Sequence, residues 1–242
     1  MEGIEKLQRL IDQSSRIVFF GGAGVSTESG IPDFRSADGL YSQQFNYPPE
    51  TVLSHSFFMR HTEDFYRFYQ SRMLYSGIEP NAAHNKLAEL EAAGKLSAVI
   101  TQNIDGLHQL AGSRNVLELH GSMLRNRCMT CGETYGIEAM RGPGVPRCGC
   151  GGVIKPEVVL YEEALDTETV ERAVAALRAA DLVIVGGTSL AVYPAAGLLD
   201  YTRGKIVLIN RDATRLDAAA ELVISDSIGA VLSQIQVGSS AR

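Results

Sequence analysis

The chain has 242 residues, 45% of them hydrophobic, with 28 acidic against 22 basic side chains and a formal net charge of −6. That length suits one domain with an excursion, or one large and one small domain. The acidic balance argues against nucleic acid as the main partner and suits lysine-bearing ones. No run approaches the roughly 18 apolar residues that span a bilayer, and the N-terminus lacks the apolar core of a secretion signal.

Ile4, Leu7, Leu10 and Ile11 recur at helical spacing, so a first helix should end near Ser14 and Ser15. Ile17–Phe20 is short, branched and aromatic, the pattern of a buried strand, and Gly21, Gly22 and Gly24 follow it. Residues 36–80 then change character. They are rich in Tyr, Phe, His and Met, and they predict short helices over 54–58 and 64–74. Phe65, Phe68, Tyr69 and Met73 share one face, which favours a helical insertion with its own small core over a catalytic role. Asn81 opens a helix that runs through Leu87 and Leu90 to a glycine cap at Gly94, with His84 structural in its first turn. Strands are expected at 97–101, 116–119, 158–161, 182–185, 206–210 and 222–224, with helices at 167–180 and 195–202. Strands alternating with helices predict an α/β fold: a Rossmann-like parallel sheet with helices on both faces. It would take residues 1–35, 81–120 and 158–242. Residues 36–80 and 121–157 interrupt it and would form a small domain.

Three glycines in four positions after a strand let the backbone turn sharply and approach a ligand, as where dinucleotide phosphates sit on free amides. Gly22 and Gly24 fit the first two glycines of GxGxxG, but the third position is Thr27, so an ordinary tight turn stays open. Pro32 stops any long crossover helix, and no carboxylate follows about 20 residues on to hold a ribose. Both features disfavour a hydride-transferring dehydrogenase. Ser26 lacks the G-x-S-x-G surroundings of a nucleophile. The loop 102–108 offers Gln102, Asn103 and Asp105, either as a ligand-binding set or as a capped turn. His120 ends an apolar strand. It is a base with a near-neutral pKa, or one more structural histidine.

All four cysteines lie between Cys128 and Cys150. Cys128-x2-Cys131, sixteen residues, then Cys148-Gly149-Cys150 is a thiolate quartet at zinc-ribbon spacing. Four thiolates leave no open position, so a structural Zn2+ is expected, and a redox CxxC would not need the second pair. Clustered thiols speak for a reducing compartment, hence a cytoplasmic protein.

Gly22–Ser36 reads GAGVSTESGIPDFRS, Thr101–His108 reads TQNIDGLH, and His120-Gly121 follows Val116–Leu119 shortly before the CxxC. Over nearly the whole chain this pattern resembles the sirtuins, the NAD-dependent protein-lysine deacylases. The resemblance implies that NAD is consumed and acetyl-lysine converted to free lysine, nicotinamide and O-acetyl-ADP-ribose, with the acyl oxygen attacking the ribose carbon as nicotinamide leaves. It implies His120 as catalytic base, with Asn103 the second catalytic residue. Ala23, Thr27, Phe34 and Arg35 would hold and shield the cofactor, and Asp105 and the Ile104 backbone would hold its nicotinamide amide. Gln102 and Asn103 would address the ribose, Thr188 and Ser189 the phosphate side, Asn210 the adenosine ribose, and Ser227 and Ile228 the adenine. The acyl-lysine protein substrate would bind as an added strand along Val158, Val159 and Tyr161, with Leu190 and Val192 on the other wall.

The chain departs from the family pattern in places. The CxC pair is one residue shorter than usual, and Tyr161-Glu162-Glu163 stands where many members have Phe-Gly-Glu. Tyr69 and Arg72 form the Tyr-x-x-Arg by which some sirtuins accept acidic acyl groups such as succinyl, or else belong to an ordinary amphipathic helix. A mono-ADP-ribosyltransferase and a non-enzymatic NAD-sensing module are the other classes. A monomer is expected, with neither membrane nor specific nucleic acid as partner.

Overall fold

The computed structural model describes residues 2–33 and 47–238. The chain runs α1 (Glu2–Gln13), β1 (Ile17–Gly21), α2 (Pro49–Val52), α3 (His55–Arg60), α4 (Thr62–Arg72), α5 (Ala82–Ala92), β2 (Leu96–Thr101) and α6 (Leu107–Leu110). It continues through β3 (Val116–Glu118), β4 (Gly121–Cys128), β5 (Thr134–Tyr135), β6 (Ile154–Val158), α7 (Thr167–Ala179), β7 (Leu182–Gly186), β8 (Lys205–Ile209), β9 (Leu222–Ile224) and α8 (Ile228–Leu232).

The main sheet has the order β3-β2-β1-β7-β8-β9 and is parallel throughout. Its central strands are apolar on both faces because helices cover both. Ile17 and Phe19 of β1 point into a core shared with Leu7 of α1, Leu87 of α5 and Val231 of α8. Val18 and Phe20 point into the opposite core, with Ala173 and Leu177 of α7. The strand order reverses between β1 and β7, which lie side by side in register from Ile17–Leu182 to Gly21–Gly186. A crevice opens outside the carboxyl ends of strands at such a reversal, and open α/β sheets bind ligands there.

A second, antiparallel sheet of order β5-β4-β6 carries the cysteine segment. It shares a third core with the helical insertion, in which Phe58, Phe65, Tyr66 and Tyr69 meet Met123, Ile154 and Val158. Phe58 and Phe65 pack edge to face at 4.9 Å, and the Tyr66 hydroxyl donates to the Ile154 carbonyl.

Several boundaries differ from expectation. The strand expected at 158–161 lies at Ile154–Val158 and includes Pro156, which an edge strand tolerates because that side of the ladder needs no donor. Residues 159–161 instead tie separate parts together, with Val159 N donating to the His120 carbonyl and Tyr161 N to that of Leu53, each at 2.9 Å. Strand β4 was not expected; a register shift between Ser122 and Asn126 breaks its alternation. The segment expected as a helix at 195–202 is a 3-10 helix over Ala195–Tyr201.

Candidate active site

The two glycine turns after β1 and β7 interlock. Gly24 N donates to the Gly187 carbonyl at 2.8 Å, and a Cβ on Gly24 would stand 2.8 Å from Gly187 Cα. Only glycine permits that approach. Beyond the turn the chain winds through short 3-10 turns at Ala23–Val25 and Thr27–Ser29. Asn81 supports them: its Nδ2 donates to the Val25 carbonyl at 2.8 Å and reaches Ser29 Oγ at 3.0 Å, while its Oδ1 accepts from Ala83 N. His84 completes that capping box and is fully buried, the structural role expected of it.

Above these turns lies a cleft of about 460 Å³. Ala23 and Thr27 line it from the first loop, and Gln102, Asn103, Ile104 and Asp105 from the end of β2. His120 enters from the end of β3, Thr188 and Ser189 from the end of β7, and Asn210, Ser227 and Ile228 from the far side. Val158, Val159, Tyr161 and Val192 line the part that faces the second sheet. Leu190 is the exception. Only 3% exposed, it packs into the sheet core and does not reach the cleft. Phe34 and Arg35 lie outside the described residues.

Polar groups on the cleft floor form a directed chain. Asn103 Nδ2 donates to Ser26 Oγ at 3.0 Å, and Ser26 Oγ donates to Asp105 Oδ2 at 2.7 Å. The other Asp105 oxygen accepts from Leu107 N at 2.9 Å. Burial pushes the Asp105 carboxyl above its ordinary range, opposed by these three neighbours. The sequence reading set Ser26 aside as a nucleophile; here it is the link between two predicted site residues. No local pattern reveals that link, because it joins residues 77 and 79 positions apart.

His120 is held by its Nδ1, which donates to the Gln102 carbonyl at 2.9 Å. That bond fixes the tautomer and leaves Nε2 with a free lone pair. Burial lowers the His120 pKa, and the hydrogen bond to Gln102 works against it, so the neutral, proton-accepting form prevails near neutrality. Gln102 also reaches the loop after β7, its Nε2 donating to Thr188 Oγ1 at 3.0 Å. Thr188 N in turn donates to Asn210 Oδ1 at 3.0 Å. His120, the 102–105 loop and the far wall therefore form a single network.

Tyr69, Met73 and Tyr75 also line the cleft. Helical spacing marks Tyr69 and Met73 as core and the Tyr-x-x-Arg pattern marks Tyr69 for acyl recognition; Tyr69 is fully buried. Its hydroxyl has no hydrogen-bond partner among the described residues, and burial raises its pKa. Arg72 is not among the lining residues.

The four cysteine sulfurs lie within 4.8 Å of one another, with Cys128 and Cys150 at 3.5 Å and Cys131 and Cys148 at the same separation. Tetrahedral thiolates around zinc at about 2.3 Å stand roughly 3.8 Å apart, so this donor set fits a structural zinc. The shortened CxC pair reaches the cluster: Gly152, just after it, comes so near Cys128 Sγ that an added Cβ would stand 2.7 Å away.

The family model of the Sir2 family matches residues 22–194. A relative from Clostridium acetobutylicum named NAD-dependent protein deacetylase is 56% identical over 241 residues, covering 97% of this chain and 98% of its own. A solved chain from work described as "Structural Basis for the Mechanism and Regulation of Sir2 Enzymes" superposes with a TM-score of 0.87 at 42% identity, with 96% of each chain covered. Another, described as "Sir2-p53 peptide-NAD+", superposes with a TM-score of 0.84 at 38% identity and 95% coverage of each. A match over most of the chain by the family model, and over nearly all of it by relatives this similar, places the protein: it belongs to the Sir2 family.

Proposed function

We infer that this protein is an NAD-dependent protein-lysine deacetylase, consuming NAD, an acetyl-lysine side chain and one water, and releasing nicotinamide, O-acetyl-ADP-ribose and free lysine. The observation that carries the chemistry is the His120 geometry. An imidazole held at Nδ1 by a main-chain carbonyl, kept neutral by burial, presents Nε2 to the cleft. It can take a proton from a ribose hydroxyl once the acyl oxygen has displaced nicotinamide.

The other groups sort around that step. The glycine turn carries the phosphates on main-chain amides, with Thr188 and Ser189 on the same side. Asp105 and the Ile104 backbone address the nicotinamide carboxamide, and the Asn103–Ser26–Asp105 chain orients both carboxylate and amide. Asn210, Ser227 and Ile228 close the adenosine end, and Phe34 and Arg35 are assigned to shielding the sugar and pairing with phosphate. Val158, Val159, Tyr161 and Val192 form the peptide slot. The zinc-bound quartet sets the second sheet and takes no part in the chemistry. We assign residues 1–35, 81–120 and 158–242 to the NAD-binding domain, the remainder to the small domain, and the protein to the cytoplasm as a monomer.

The acidic-acyl reading is the weaker one. Tyr69 lines the cleft, but Arg72, which would pair with the extra carboxylate, does not. Mass spectrometry of an acetyl-lysine peptide incubated with the protein, with and without NAD, tests the main reading. Acetyl loss should depend on NAD, form O-acetyl-ADP-ribose, and fall by about 10²–10⁴ in His120→Ala. NAD cleavage without acetyl loss, with label transferred to protein, would replace the reading by ADP-ribosyl transfer.

A further inference from the structure

The turn that leaves β6 carries a feature that the chemistry above does not use. Glu162 has φ 75°, a left-handed conformation that residues with a Cβ adopt rarely and at a cost. Its carboxylate accounts for the chain staying there. Oε2 accepts from Ser56 N at 2.8 Å and Oε1 from Ser56 Oγ at 3.0 Å. Ser56 is in the first turn of α3, where backbone N–H groups lack helical partners and a carboxylate is favoured.

Two further sets of contacts complete the clasp. The Leu53–His55 backbone brackets residue 161, with Tyr161 N donating to the Leu53 carbonyl and His55 N to that of Tyr161, each at 2.9 Å. Glu163 accepts from Leu160 N and from His55 Nδ1 at 2.9 Å, and from Lys155 Nζ at 3.2 Å. Leu160, Tyr161, Glu162 and Glu163 all line the cleft.

We propose that Glu162 is a positioning residue for the peptide substrate: by latching residues 159–163 to the start of α3, it pre-forms the wall against which the acyl-lysine strand lies. The proposal rests on the deacetylase reading of the cleft. A segment ordered only on binding subtracts its ordering entropy from affinity. A segment already held by the fold does not. The cofactor is assigned to other loops, at 22–35, 102–105, 188–189, 210 and 227–228. Loss of the latch therefore acts on peptide binding and leaves NAD binding alone.

The test compares Glu162→Ala and Glu162→Gln with the wild type. Hydrogen exchange of amides 159–163 should quicken in Glu162→Ala. The KM for an acetyl-lysine peptide should rise about five- to tenfold, with kcat and the KM for NAD within about twofold. Glu162→Gln keeps an acceptor oxygen for Ser56 N and should recover most of the loss. Unchanged exchange overturns the latch. Faster exchange with an unchanged peptide KM overturns the positioning role, as does an equal rise in the KM for NAD, which marks general loosening. If the wild type does not deacetylate the peptide, that outcome counts against the deacetylase reading. Exchange, together with binding of a fluorescent acetyl-lysine peptide, then still decides for or against the latch.

Discussion

At the scale of single residues, the active-site histidine combines two opposed influences. Burial favours neutral His120, and the hydrogen bond to the Gln102 carbonyl favours the charged form, with burial the larger. The base role proposed for His120 needs the neutral ring, so kcat/KM should stay on its plateau below the ordinary histidine pKa of about 6.5 and fall only as pH drops through the lowered value. A pH–rate profile with its acid inflection at or above that ordinary value would sink this account. How much of the site the sequence reveals follows from the reach of each residue. His120, Asn103 and Asp105 stand in contiguous signatures and are readable as chemistry. Ser26 is readable only as part of the loop, because its function is a contact with residues far along the chain. Leu190 sits within a legible motif yet turns inward: with φ 55° its backbone swings left-handed and its side chain joins the sheet core.

At the scale of elements, α5 and α6 meet through a pair of buried histidines. The rings of His84 and His108 lie 4.7 Å apart. Burial holds His84 down to about 4, opposed by Glu28, and holds His108 down to about 3, reinforced by His84. Both are neutral in the folded protein, whereas in the unfolded chain they titrate near about 6.5. Between those values the unfolded state binds more protons. The pair's contribution is therefore fully present above about pH 6.5 and is lost as pH falls toward 4 and 3, at about 1.4 kcal/mol per pH unit for each ring. Urea denaturation at several pH values should show this decline, and His108→Phe should flatten it; an equal slope in the variant would refute the assignment. Neither ring nitrogen of His108 has a hydrogen-bond partner among the described residues, so an aromatic without them suits the site. The central strands β1 and β7 were legible because full burial writes them as unbroken apolar runs. Strands β4 and β6 were not, since a register shift interrupts one and Pro156 masks the other.

At the scale of the whole molecule, the second sheet joins the cysteine cluster to the cleft. Strand β6 leaves the cysteine cluster and ends at Val158, on the cleft wall proposed to hold the peptide. Prolonged chelation should therefore abolish peptide deacetylation while the large parallel sheet keeps its circular dichroism, and metal analysis should return about one zinc per chain. Full activity in demonstrably zinc-free protein would contradict that coupling. The orientation of the base depends on nothing so removable. His120 is held by the carbonyl of residue 102, an atom that every amino acid carries. Substitution of the side chain at 102 costs its link to Thr188 and its place in the cleft, but it does not release the imidazole. The aim of the imidazole is therefore the part of this site that substitution of its hydrogen-bond partner cannot delete.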